Sequence, residues 1–119
     1  MKYDLEDRLT LFSGNVLDLC RKLPKDVVNN PLISQIVRSA TSIGANYCEA
    51  NAGASKKDFK NKIFICKKEA QETNYWFKLL EKSNPNNSQE IRSLKDENSQ
   101  FILIFGKIIS TLNSKTPNF

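Results

Sequence analysis

The chain has 119 residues, 26% of them charged and 39% hydrophobic, with a formal net charge of +5 and a pI near 9.2. That is the size of one domain (residues 1–119), long enough to bury a core without disulfides or metal, and too apolar to be disordered throughout. Gly and Pro number four each, which argues against a loop-rich or all-β protein, and the basic balance favours polyanionic partners such as nucleic acid or an anionic membrane surface.

The first periodic segment, about residues 4–23, carries Leu5, Leu9, Phe12, Val16, Leu19 and Leu23 at alternating steps of four and three, so they share one helix face. Asp4, Glu6 and Asp7 near its start and Arg21 and Lys22 near its end suit the helix dipole. Pro24 closes it. The second segment, about 31–52, has Asn30 as expected N-cap, Pro31 in the first helical position and Gly53 as stop. Its apolar stripe is Ile36, Ala40, Ile43, Tyr47 and Ala50.

The third segment, about 56–83, opens on Ser55 with Asp58 three residues on, a capping-box-like start. Phe59, Ile63, Cys66, Ala70, Thr73, Phe77 and Leu80 form its stripe, and Asn84-Pro85-Asn86-Asn87 breaks the chain. The fourth, about 89–113, has Ser88 as expected N-cap and Ile91, Leu94, Asn98, Phe101, Phe105, Ile108 and Leu112 in register, widened by Ile102 and Ile109. Residues 114–119, with Pro117, are expected to fray. No segment alternates with period two, and the connections are short. The expected fold is all-α: an up-down-up-down antiparallel four-helix bundle with shallow left-handed crossings.

There is no histidine. The commonest general base and metal ligand are therefore missing, and with them the Glu-x-x-His di-iron signature of this architecture. The four glycines are isolated, so no phosphate loop exists. Cys20, Cys48 and Cys66 are an odd set without zinc spacing, each expected on or beside an apolar helix face as a small hydrophobe. They fit a reducing, cytoplasmic compartment. The N-terminal residues lack a secretory apolar stretch, and Phe101 to Phe105 is too short an apolar run to cross a bilayer, so no membrane role is expected. An acid/base enzyme using Glu49 and Glu72 is disfavoured by the missing histidine. The expectation is no enzyme, no cofactor and no metal.

Two faces of the third helix stand out. Lys56, Lys57, Lys60, Lys67, Lys68, Lys78 and Lys82 fall within a sector of about 120°, with Phe64 and Tyr75 among them. Such a row can track phosphates and stack on bases, or simply be a solvated face whose lysine stems cover apolar surface. Between that sector and the core stripe lie Ile65, Glu69, Glu72, Trp76 and Leu79, which face either another helix of the bundle or another subunit. On the second helix Arg38, Ser42, Asn46 and Glu49 make a polar stripe among small residues. Arg38 and Asn46 are expected to pair with Glu49, Glu69 or Glu72.

The run from Gln35 to Ala50, with Arg38, Ala40, Ser42, Ile43, Asn46 and Glu49 in matching positions, resembles the bacterial four-helix-bundle proteins known as 23S ribosomal RNA intervening-sequence proteins. Glu69-Ala70-Gln71-Glu72-Thr73-Asn74-Tyr75-Trp76 is similar to a run in one branch of that family. Ala50 departs from a usual Gly, and Gly44 from a common Pro, which bears on the end of the second helix. The resemblance implies a homopentamer of up-down-up-down bundles without enzymatic activity. It also implies kinship with an accessory bundle of diversity-generating retroelements that binds nucleic acid and a reverse transcriptase. Two functions follow as expectations: binding of RNA or DNA through the lysine face, or protein–protein scaffolding with no nucleic-acid role.

Overall fold

A computed structural model describes residues 4–53 and 55–114. It has four α-helices: α1 (Leu5–Lys22), α2 (Asn29–Ala52), α3 (Lys56–Ser83) and α4 (Ser88–Ser114). One 3-10 turn, Pro85–Asn87, leads into α4, and no strand forms among the described residues. The body is a rod of 58 × 28 × 22 Å. Ser114, expected to open the frayed tail, is instead the last residue of α4, and the rest of that expectation, residues 115–119, lies outside the described residues.

The caps explain where the helices begin. Asp4 accepts the Asp7 amide at 2.8 Å, and Ser55 accepts the Asp58 amide at 3.0 Å. Both are side-chain caps in extended backbone. The start of α2 differs from expectation. Asp26, not Asn30, receives the free amides, at 3.0 Å from Val28 and 2.7 Å from Asn29, and the Asn30 amide bonds the Asp26 carbonyl. Asn29 is instead buried, its side chain turned inward. Ser88 does not cap α4 either: it already has helical dihedrals, continues the 3-10 turn, and gives its hydroxyl to Glu81. Gly53 does end α2, but in extended backbone (φ −70°, ψ 156°), so no left-handed glycine cap is involved.

The apolar stripes meet in one core cluster that draws on all four helices. Phe12 from α1 sits edge-on to Phe77 of α3 and Phe101 of α4, with centroids 6.3 and 5.3 Å away. Aromatic pairs prefer this geometry because the positive ring edge meets the negative face. Leu5, Tyr47 and Phe59 are half-buried at the margins. Near the end of α4 the buried position is Ile109, while Ile108 and Leu112 are half-buried, so the register drifts by one residue there. A stripe spaced by 3.5 residues walks around a helix of 3.6, and far from the centre the neighbouring residue takes over.

Between α2 and α3, and between α3 and α4, contacts run in opposite order along the two helices. Ser39 meets Thr73, Ile43 meets Cys66 and Glu49 meets Lys62 between α2 and α3. Glu81 bonds Arg92 and Asn74 bonds Ser99 between α3 and α4. Between α1 and α4, Arg8 holds Glu97 and Lys22 holds Glu90. No helix is long and apolar enough to cross a membrane among the described residues.

Two polar groupings inside the rod were not read from the sequence. Asn29 and Asn84 exchange side-chain amide hydrogen bonds at 2.8 and 3.0 Å, and Ser83 donates to Asn29 at 2.8 Å. This clamps the α1–α2 turn to the α3–α4 turn. Asn98, the one polar member of the α4 stripe, donates to the Ala70 carbonyl at 2.7 Å and to the Asn74 side chain at 2.8 Å. A buried amide with such partners fixes the register of α4 on α3.

Candidate nucleic-acid interface

The lysine sector of α3 is an outward face. Lys56, Lys57, Lys68, Lys78 and Lys82 are exposed; Lys60 and Lys67 are half-buried, and the end of the Lys67 side chain lies beside Gly106 of α4. None of the seven makes an ion pair within 4 Å among the described residues. The remaining positions of the sector are Phe64, Gln71, Asn74 and Tyr75, so no carboxylate interrupts it. Asp58, Glu69, Glu72 and Glu81, the acidic residues of α3, all project elsewhere on the wheel.

Seven lysines exceed the net +5 of the whole chain, so the rest of the molecule is net acidic and the positive balance is concentrated here. From Lys56 to Lys82 the face extends about 39 Å at 1.5 Å per residue. Neighbouring lysines without counter-charges repel one another, and an external polyanion relieves that repulsion.

The second face of α3 joins α2 through an ion-pair cluster. Arg38 reaches Glu69 at 3.3 Å and also bonds Glu72, whose carboxylate accepts the Trp76 indole N–H at 2.9 Å. Trp76 packs against the core, while Ile65 and Leu79 are half-buried beside it. The expected partners of Arg38 are therefore found. Asn46 is different: its amide donates to the hydroxyl and carbonyl of Ser42, one turn back on its own helix, at 2.9 Å each. Glu49 pairs at 2.6 Å with Lys62, a lysine outside the cationic sector and not among its expected partners. A charge pair between consecutive helices is visible in sequence only once their relative register is known.

Glu49 and Glu72 are both tied into ion pairs, and neither lines the principal surface clefts. No cluster of three or more His, Cys, Asp or Glu suited to a metal occurs among the described residues. The cysteines are all free. Burial pushes the Cys20 thiol up to about 11 and the Cys66 thiol up to about 12. Cys48, expected as a small hydrophobe, is instead exposed on α2. A position beside a stripe faces the margin, and here the margin is open to solvent.

The described residues thus form an all-α body of four helices around one core, with a cationic face on α3. The chain belongs to the 23S rRNA-intervening sequence protein family, whose model matches residues 5–106. It is also similar to a protein of unknown function from the S23 ribosomal protein family of Bacteroides thetaiotaomicron VPI-5482, solved by crystallography. The two share 32% sequence identity with a TM-score of 0.77, over 89% of this chain and 98% of that one. No curated protein matches the chain.

Proposed function

We propose that this protein is a non-enzymatic, oligomeric four-helix bundle, up-down-up-down and antiparallel, that binds RNA or DNA through the lysine face of α3. The observation that carries this reading is a helix face with seven lysines and no carboxylate, none of whose lysines is ion-paired among the described residues. The opposed order of contacts between α2 and α3, α3 and α4, and α1 and α4 supports the topology. Assembly as a homopentamer, which the family resemblance implies, would repeat the face five times and raise avidity.

Binding of this kind rests on phosphate contacts and counterion release, so it is weak in sequence preference and steep in salt dependence. Charge reversal of the exposed Lys57, Lys68, Lys78 and Lys82 to Glu tests it. The variant is expected to lose a gel shift that the parent gives, with an unchanged circular-dichroism spectrum. Retained binding would remove the lysine face from the account.

A second reading is a protein–protein scaffold in the cytoplasm whose contact surface is the strip of Ile65, Trp76 and Leu79. The favouring observation is that these apolar side chains remain partly open beside the Arg38 cluster. Under that reading, Trp76→Ala shifts the mass seen by light scattering while nucleic-acid binding is absent in both proteins. An unaltered mass would assign Trp76 to the core alone.

A further inference from the structure

Six large hydrophobic side chains are exposed among the described residues: Leu11, Val27, Val28, Phe64, Tyr75 and Leu103. The four aliphatic ones are scattered over α1, the α1–α2 turn and α4. Isolated exposed aliphatics are ordinary. The two aromatic ones behave differently, because both stand in the lysine sector, which covers only about a third of the α3 circumference.

Phe64 and Tyr75 are 47% and 54% exposed. Eleven residues is close to three full turns, so the rings lie on one line parallel to the axis, within about 20° and about 16 Å apart. Lys67 and Lys68 flank that line on its two sides, with Gln71 between the rings. Tyr75 is also braced: its ring meets Trp76 edge to face, with centroids 5.2 Å apart and planes at 64°. A braced ring loses little freedom when a flat ligand settles on its open side.

Lysines alone do not distinguish duplex from single strand, since both present phosphates. Aromatic faces do. In a duplex the base faces are sealed inside the stack, whereas an unpaired strand can lay its bases on exposed rings while lysines hold the phosphates on either side. We propose that the ligand of this face is single-stranded nucleic acid, with bases stacked on Phe64 and Tyr75. This rests on the nucleic-acid reading above and narrows it.

The test compares a labelled RNA strand of about 20 nucleotides with its blunt-ended duplex, by fluorescence anisotropy at one salt concentration. The parent protein binds the strand more tightly than the duplex. Phe64→Leu/Tyr75→Leu keeps apolar bulk and removes the π faces, and it weakens strand binding by about tenfold or more while duplex binding stays within about twofold. Trp76 is the chain's one tryptophan and touches Tyr75, so its emission in the parent responds to the strand and not to the duplex. That readout holds even if the double variant does not fold. Equal affinity for strand and duplex, or a variant that binds the strand as the parent does, overturns the stacking proposal and leaves the cationic face standing. Binding to neither form overturns both.

Discussion

Arg38 on α2 and Glu72 on α3 are ion-paired across the outer seam of the two helices, and the same Glu72 carboxylate holds the Trp76 indole. Glu69 completes the group at 3.3 Å with only 12% of its side chain exposed. The Arg38 side chain is 49% exposed, so solvent screens its pairs and their worth is modest. A double-mutant cycle on Arg38→Ala and Glu72→Ala, followed by urea unfolding, is expected to give a coupling of about 0.5–1 kcal/mol. Arg38→Ala alone should cost about 1–2 kcal/mol, because it also strands the nearly buried Glu69. Zero coupling would mean that the pair adds nothing to stability.

The Asn29–Asn84 clamp carries a sharper expectation. Asn84 is 5% exposed, exchanges two amide bonds with Asn29 and donates a third to the Leu80 carbonyl at 3.0 Å. Asn84→Ala leaves Asn29, itself 1% exposed, short of a donor and an acceptor. The expected cost is about 2–3 kcal/mol, larger than that of any single change on the lysine face. Chemical denaturation of the two sets of variants compares them directly.

The thiols set an alkaline limit. Cys20 and Cys66 have folded values raised from 9.0 to about 11 and about 12, mainly because burial penalises the thiolate. Above pH 9 the unfolded chain releases these protons and the folded chain keeps them, so stability falls as pH rises from about 9. Cys66→Ala should flatten that limb of a stability–pH curve. The acid limb includes Glu81, whose carboxyl is lowered below 4.5 by hydrogen bonds from Ser88 and then Arg92. Its contribution is present above 4.5 and is lost as pH falls through the lowered value. At neutral pH a thiol reagent should modify Cys48 alone until denaturant is added.

The helices were legible because each buried stripe is a local pattern: Leu9, Phe12, Val16 and Leu19 announce their face without knowledge of any neighbour. The lysine sector of α3 was legible for the same reason, since one helix wheel contains all of it. What the sequence hid was relational. The Asp26 cap stands behind two exposed valines, and the neighbouring Asn30-Pro31 pair offers a plausible but wrong start. Asn29 with Asn84, and Glu49 with Lys62, depend on how two helices are set against each other, which no single periodicity encodes. Asn46 was misassigned because its amide can satisfy itself one turn back on Ser42, a local bond that competes with any partner across the seam.

The carboxylate-free row of lysines on α3 is proposed to meet phosphates. The most direct measurement is the salt dependence of affinity for a single RNA strand, for the parent and for the Lys57, Lys68, Lys78 and Lys82 charge-reversal variant. For the parent, log affinity should fall steeply and linearly with log salt, with a slope of several units, each phosphate contact contributing about −0.7. The variant should show no measurable binding at any salt concentration. A flat salt profile, or a variant whose slope and affinity equal the parent's, would contradict it.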